Sequence, residues 1–155
     1  MRKPQPHVYG IPVYSVRLVR ETSVPFPSQQ MRDAKDVAAL VRGYLHGVDR
    51  EHFVILMLNT KNVYIGLSTV SIGCLDGAVV KPREVFKPAL LHQAASIILA
   101  HNHPSGHPKP SQQDRDITAK LVQAGKLLDI AVLDHVVIGD GTDAYYSFAD
   151  EGLLS

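Results

Sequence analysis

Residues 96–114 read SIILAHNHPSGHPKPSQQD: an apolar run, two histidines one residue apart, a loop rich in proline and glycine, then a serine and an aspartate. The run from Ser96 to His103 has the length and composition of a buried strand. Side chains alternate along a strand, so Ile97, Leu99, His101 and His103 share one face and Asn102 takes the other. Pro104, Pro108 and Pro110, with Gly106 among them, restrict the loop and reduce the entropy lost when Ser111 and Asp114 return to the strand end. Ser111 opens a helix whose Ile117, Leu121, Val122, Gly125 and Leu128 fall on or near one face.

Outward from this unit, the pattern continues to alternate between strands and helices. Downstream, IAVLDHVVIG (130–139) and AYYSF (144–148) read as two closing strands. Upstream, HFVILML (52–58) is apolar on both alternating faces and joins VYIGLSTVSIG (63–73) through NTKN in the manner of a hairpin, which is expected at the sheet centre. A helix is expected from Pro82 to about Ala95, with Pro88 as a kink or the start of its regular part. Another is expected from about Asp33 to His46, where Val37, Leu40, Val41, Tyr44 and Leu45 have helical spacing and Gly47 serves as C-cap residue. IPVYSVRLVRE (11–21) alternates as a half-buried edge strand does, behind a flexible arm over residues 1–11. The fold class is α/β, a mixed central sheet flanked by helices, in a single domain over residues 12–155.

Composition narrows the function. The chain has 155 residues, 45% hydrophobic and 20% charged, which is enough to bury one core. Its formal net charge of +1 comes from scattered acids and bases, so a DNA partner is unsupported by charge. The single cysteine, Cys74, excludes an internal disulfide and any site built from two thiolates, and it reads as a small buried apolar side chain. With no leader-like segment and no apolar run of about 18 residues, a cytoplasmic protein without a membrane partner is expected.

The two imidazoles of His101 and His103, with the carboxylate of Asp114, form the ligand set of an open catalytic zinc site. Its fourth position would hold a water whose pKa falls to roughly 7. Such a water needs a base. Glu51 stands at the entry of the 52–58 strand and meets the histidines if that strand runs antiparallel to the one ending at His103. Ser111 is placed to donate to a developing oxyanion.

Glu51, followed by His101-Asn102-His103, seven residues, Ser111, two residues and Asp114, resembles the JAMM motif of MPN/JAB metalloproteases. HNHPSG with PSQQD, PREVFKPAL upstream, and LLDIAVLDHVVIG and FADEGLL downstream are similar to the RadC branch of that family. The resemblance spans about residues 12 to 155. It implies an MPN/JAB fold of cytidine deaminase-like architecture, with one zinc ion per chain held by His101, His103 and Asp114. Glu51 would be the base and Ser111 its assistant, acting on a peptide or protein substrate. The helix-hairpin-helix region that commonly precedes the RadC catalytic domain is not expected within the short arm that precedes residue 12. His107 stands where an acidic residue is frequent, and Lys81 where a histidine is expected.

Plainer readings stand beside these. Ser111 and Asp114 also fit a helix capping box, and cap and ligand can coexist. Glu84 is the fallback base, although at a helix start it has a simpler role facing the helix dipole. His135 reads as structural and His107 as a loop residue facing solvent. An HNH nuclease is disfavoured because Asn102 points away from both histidines. The alternative to an enzyme is a non-catalytic MPN-fold binding or scaffold module, associated with DNA repair or mobile elements.

Overall fold

The computed structural model describes residues 9–73 and 80–154, so Cys74 and the first eight residues of the arm lie outside the described residues. The elements in chain order are α1 (Ala34–Tyr44), β1 (His52–Leu58), β2 (Tyr64–Ile72), α2 (Pro82–Leu91), β3 (Ser96–His103), α3 (Gln112–Leu127), β4 (Ala131–Gly139) and β5 (Tyr145–Ser147). They build a five-stranded sheet in the order β2-β1-β3-β4-β5. β1 is antiparallel to β2 and β3, β4 is parallel to β3, and β5 is antiparallel to β4. The sheet is therefore mixed and the class α/β, as the alternating pattern requires.

Alternation along β3 divides the core into two layers. Ile98 and Ala100 pack with Val54, Leu56, Val136 and Ile138 under α1. Ile97 and Leu99 face the other way, with Phe53 and Ile55, against Val85 and Phe86 of α2 and Leu121 of α3. Ile97, Ile98 and Leu99 are fully buried, and each contributes about 1.5–3 kcal/mol of burial. Together they hold the end of β3 in place between the layers.

Four expectations are corrected. Residues 11–21 form no strand: they carry no regular structure, and Val13, Tyr14, Val16 and Val19 are exposed. Alternation makes a strand only when a ladder partner and a buried face are available. Further on, Gln29 accepts from the Tyr64 N–H at the start of β2, and Gln30 bridges Val63. The hairpin is also not central as a whole, because β1 pairs with β3 on its other side and leaves β2 at the edge. α2 ends at Leu91 instead of Ala95, with Gln93 in a left-handed conformation at φ 52°, and it runs through Pro88. α1 is capped at Leu45, and Gly47, at φ 77°, lies in the turn beyond.

Among the described residues, no helix is long and apolar enough to cross a membrane.

The closing strands are braced by a buried carboxylate. Asp134 Oδ1 accepts from the backbone N–H of His135 (2.7 Å) and of Ala149 (2.9 Å), and Oδ2 accepts from Ser147 Oγ (2.7 Å). Burial pushes its pKa up against the pull of these donors. Asp134→Ala strands three donors and is expected to cost roughly 1–3 kcal/mol in urea unfolding. Asp134→Asn keeps an oxygen for the two N–H groups and turns its amide to Ser147, so its loss should be clearly smaller.

Candidate metal centre

β3 and the N-terminus of α3 bring the three predicted ligands together. His101 is fully buried, stacked on Phe53 at a ring separation of 5.9 Å, while His103 sits partly exposed at the strand end. Their Nε2 atoms lie 3.0 Å apart. Asp114 Oδ1 is 3.3 Å from His101 Nε2, and Oδ2 is 3.5 Å from His103 Nε2. Ligand atoms at zinc bond lengths of about 2.0–2.1 Å in a tetrahedron are separated by about 3.3 Å. The residues thus fit a small tetrahedral cation, and His101, His103 and Asp114 form a cluster able to hold a metal ion, with ligand atoms within 4.8 Å of one another.

Ser111 and Asp114 form the capping box as well. Ser111 Oγ accepts from Asp114 N (3.1 Å), and Asp114 Oδ2 accepts from Ser111 N (2.7 Å) and from Ser111 Oγ (2.8 Å). Oδ2 carries the capping bonds, which leaves Oδ1 free of them and facing His101. Cap and cluster are one arrangement: Oδ1 faces His101 without a capping bond, while Oδ2 takes the capping bonds and also lies near His103.

Electrostatics match the donor set. Burial opposes ionisation of Asp114, but the adjacent imidazoles of His101 and His103 and the hydrogen bond from the Ser111 amide outweigh it and hold the carboxyl far below the usual range. His103 is pushed up, first by its bond to Asp114, against burial, with smaller help from the His107 carbonyl and the charges of Asp114 and Glu51. His103 Nδ1 lies 2.8 Å from the carbonyl oxygen of His107. A carbonyl only accepts, so in the neutral ring Nδ1 holds the proton and Nε2 turns a lone pair to the cluster. His107 therefore acts here through its backbone.

Glu51 reaches the same end of the sheet without joining the cluster. Phe53 is opposite His101 in the antiparallel register; continued two residues past the strand, that register would bring Glu51 level with His103, whose pKa the Glu51 charge helps to raise. Its side chain is exposed. Asn102 holds the backbone on either side of it: Asn102 Oδ1 accepts from His52 N (2.7 Å), and Nδ2 donates to the Arg50 carbonyl (3.1 Å) and to Asp140 Oδ2 (2.9 Å). Asn102 thus faces away from the imidazoles. Glu84 lies elsewhere, in the first turn of α2, where Lys87 at 3.0 Å holds its carboxyl low.

Two residues that motif spacing did not single out as functional adjoin the cluster. His135 Nε2 is 2.8 Å from His101 Nδ1, and His135 Nδ1 is 2.5 Å from Thr118 Oγ1. Burial pushes the His135 pKa far down, which favours the neutral ring. The signal was a polar ring inside the apolar run of β4, opposite Leu99 in register.

A mixed sheet with a His-His-Asp cluster able to hold a metal ion at the end of its central strand is an α/β arrangement consistent with a JAB domain. The model of the RadC-like JAB domain matches residues 31–153, and the chain belongs to that family. It is 50% identical over 119 residues to a UPF0758 protein of Rubrobacter xylanophilus, covering 77% of this chain and 51% of that one. A UPF0758 protein of Clostridium acetobutylicum is 48% identical over 129 residues, covering 83% and 56%. One from Methanosarcina acetivorans is 48% identical over 134 residues, covering 86% and 58%. The chain spans about half the length of these curated relatives.

The loop from β3 to α3 is seated by glycines. Gly106, at φ 83°, donates to the His103 carbonyl (3.0 Å), and a side chain at Gly139 would overlap the Gly106 carbonyl. Gly139→Ala is expected to push this loop off β4 and destabilise the fold by about 1–3 kcal/mol. Metal affinity should fall with it in a chelator competition assay.

Proposed function

We propose that the chain is a zinc-dependent hydrolase of JAMM type that cleaves a peptide or isopeptide bond in a protein substrate. The observation that carries this reading is the convergence of two imidazole Nε2 atoms and one carboxylate oxygen at tetrahedral spacing. His101, His103 and Asp114 would hold the ion. When bound, zinc supplies a Lewis acid and lowers the pKa of a coordinated water to roughly 7.

The remaining work falls to the chain. Glu51 acts as general base beside His103 and later delivers the proton to the leaving amine. The grip of Asn102 on Arg50 and His52 supports this role, since it fixes the backbone that carries Glu51. Ser111 orients the Asp114 carboxylate, and rotation of its hydroxyl toward the substrate carbonyl makes it the oxyanion donor.

Metal analysis of protein purified without added zinc is expected to find one ion per chain, lost when His101 and His103 are both changed to alanine. Glu51→Gln should retain the metal and lose turnover by about 10²–10⁴-fold on peptide pools and ubiquitin-like fusions. Undiminished turnover removes Glu51 from the mechanism. Metal retention by the intact protein with no chelator-sensitive cleavage assigns a binding module instead.

Acid should release the metal early. Asp114 raises the His103 pKa above the ordinary value of about 6.5, so protonated His103 persists to higher pH and competes with the ion there. Affinity measured against pH should therefore begin to fall above pH ~6.5 and decline steadily below it.

A further inference from the structure

We infer that Thr118 and His135 form a hydrogen-bonded relay that sets the ring tautomer of His101 and so makes both of them positioning residues for metal capture. The inference rests on His101 being a ligand.

A neutral imidazole offers a lone pair on one nitrogen only. For His103, the His107 carbonyl decides which one. Among the described residues, no carbonyl plays this part for His101. Its Nδ1 meets His135 Nε2, a ring nitrogen able to donate or accept, so the direction of that bond is decided further out. His135 Nδ1 meets the Thr118 hydroxyl, which is equally ambivalent.

The deciding contact is the next one. Thr118 Oγ1 lies 2.5 Å from the backbone carbonyl oxygen of Asp114, one helical turn back, and a carbonyl cannot donate. The single hydroxyl hydrogen therefore points at Asp114. Thr118 must then accept from His135 Nδ1–H, His135 Nε2 must accept from His101 Nδ1–H, and His101 Nε2 is left with its lone pair toward the cluster. The opposite direction would set two oxygens against each other at 2.5 Å with no hydrogen between them.

Burial keeps the chain intact. Thr118, His101 and His135 have no exposed surface, and His135 is stacked on Phe148 at 4.9 Å with Phe53 edge-on at 5.4 Å. Solvent cannot substitute for a missing partner here. Because Asp114 and Thr118 lie on one helix, α3 supplies one ligand and also orients another on β3.

Long-range ¹H–¹⁵N correlation of the imidazoles in the intact, metal-free protein at about pH 8.5, above the ordinary imidazole range, reads the tautomers directly. His135 and His101 are both expected as Nδ1–H forms. Protonation of His135 at Nε2 overturns the relay. This measurement needs no metal, so it separates failure of the relay from failure of the zinc reading. In the second test, Thr118→Val is expected to weaken zinc binding about 10–100-fold in chelator competition, with Thr118→Ser restoring it. Unchanged affinity in folded Thr118→Val also overturns the proposal, and if that variant does not fold, the tautomers of the unaltered protein decide.

Discussion

The period-two alternation of one strand governs both the core and the site. On β3, Ile97 and Leu99 lie under α2 and α3, while Ile98 and Ala100 lie under α1. The same parity carries His101 and His103 onto the α3 side and Asn102 onto the other. A slip of one residue would exchange these sets, burying the asparagine where the imidazoles stand and facing the histidines toward α1. Each apolar side chain that anchors β3 therefore also fixes which polar groups meet Asp114. The site gains its precision from packing that any buried strand needs for stability.

The N-terminus of α3 completes the arrangement with parts that a helix needs anyway. A capping box satisfies orphan backbone donors, and the Asp114 carboxylate supplies half of it. Since Oδ2 takes the capping bonds, Oδ1 is delivered to His101 in a fixed orientation. Three lone-pair-bearing atoms then converge within hydrogen-bond distance. Lone pairs repel at such range unless a proton or a cation sits among them, and the upward shift of His103 is the response of the free protein. A cluster that attracts a proton more strongly in this way presents the donor atoms that a metal ion could also take up.

What could be read from the chain was local in sequence. The spacing of His101, His103, Ser111 and Asp114 is confined to a strand, a rigid loop and one helical turn, where alternation and capping rules apply directly. What escaped depended on pairing between distant segments. Residues 11–21 have strand chemistry but no ladder, and β2 lies at an edge because β3 takes the other side of β1. His135 read as structural, because its contact with His101 requires the parallel register of β4 on β3, including a shift between Ile97 and Ile98. Thr118 offered no sign, since a threonine bonding back to a helical carbonyl is ordinary until a histidine from another strand shares its oxygen.

The two imidazoles solve one problem by different means, and the difference follows from depth. His103 sits at the strand end, where a loop can fold back, and the backbone carbonyl of His107 is available to fix its protonated nitrogen. His101 lies two residues deeper, where its Nδ1 meets the His135 side chain. A carboxylate in that place would bring a second charge into a fully buried pocket, at a cost of several kcal/mol unless it were paired. A neutral histidine backed by a hydroxyl meets the same need without burying charge. Its direction is set by a helix carbonyl that has a spare lone pair. Depth in the sheet therefore selects a neutral relay for the inner histidine and a simple backbone bond for the outer one.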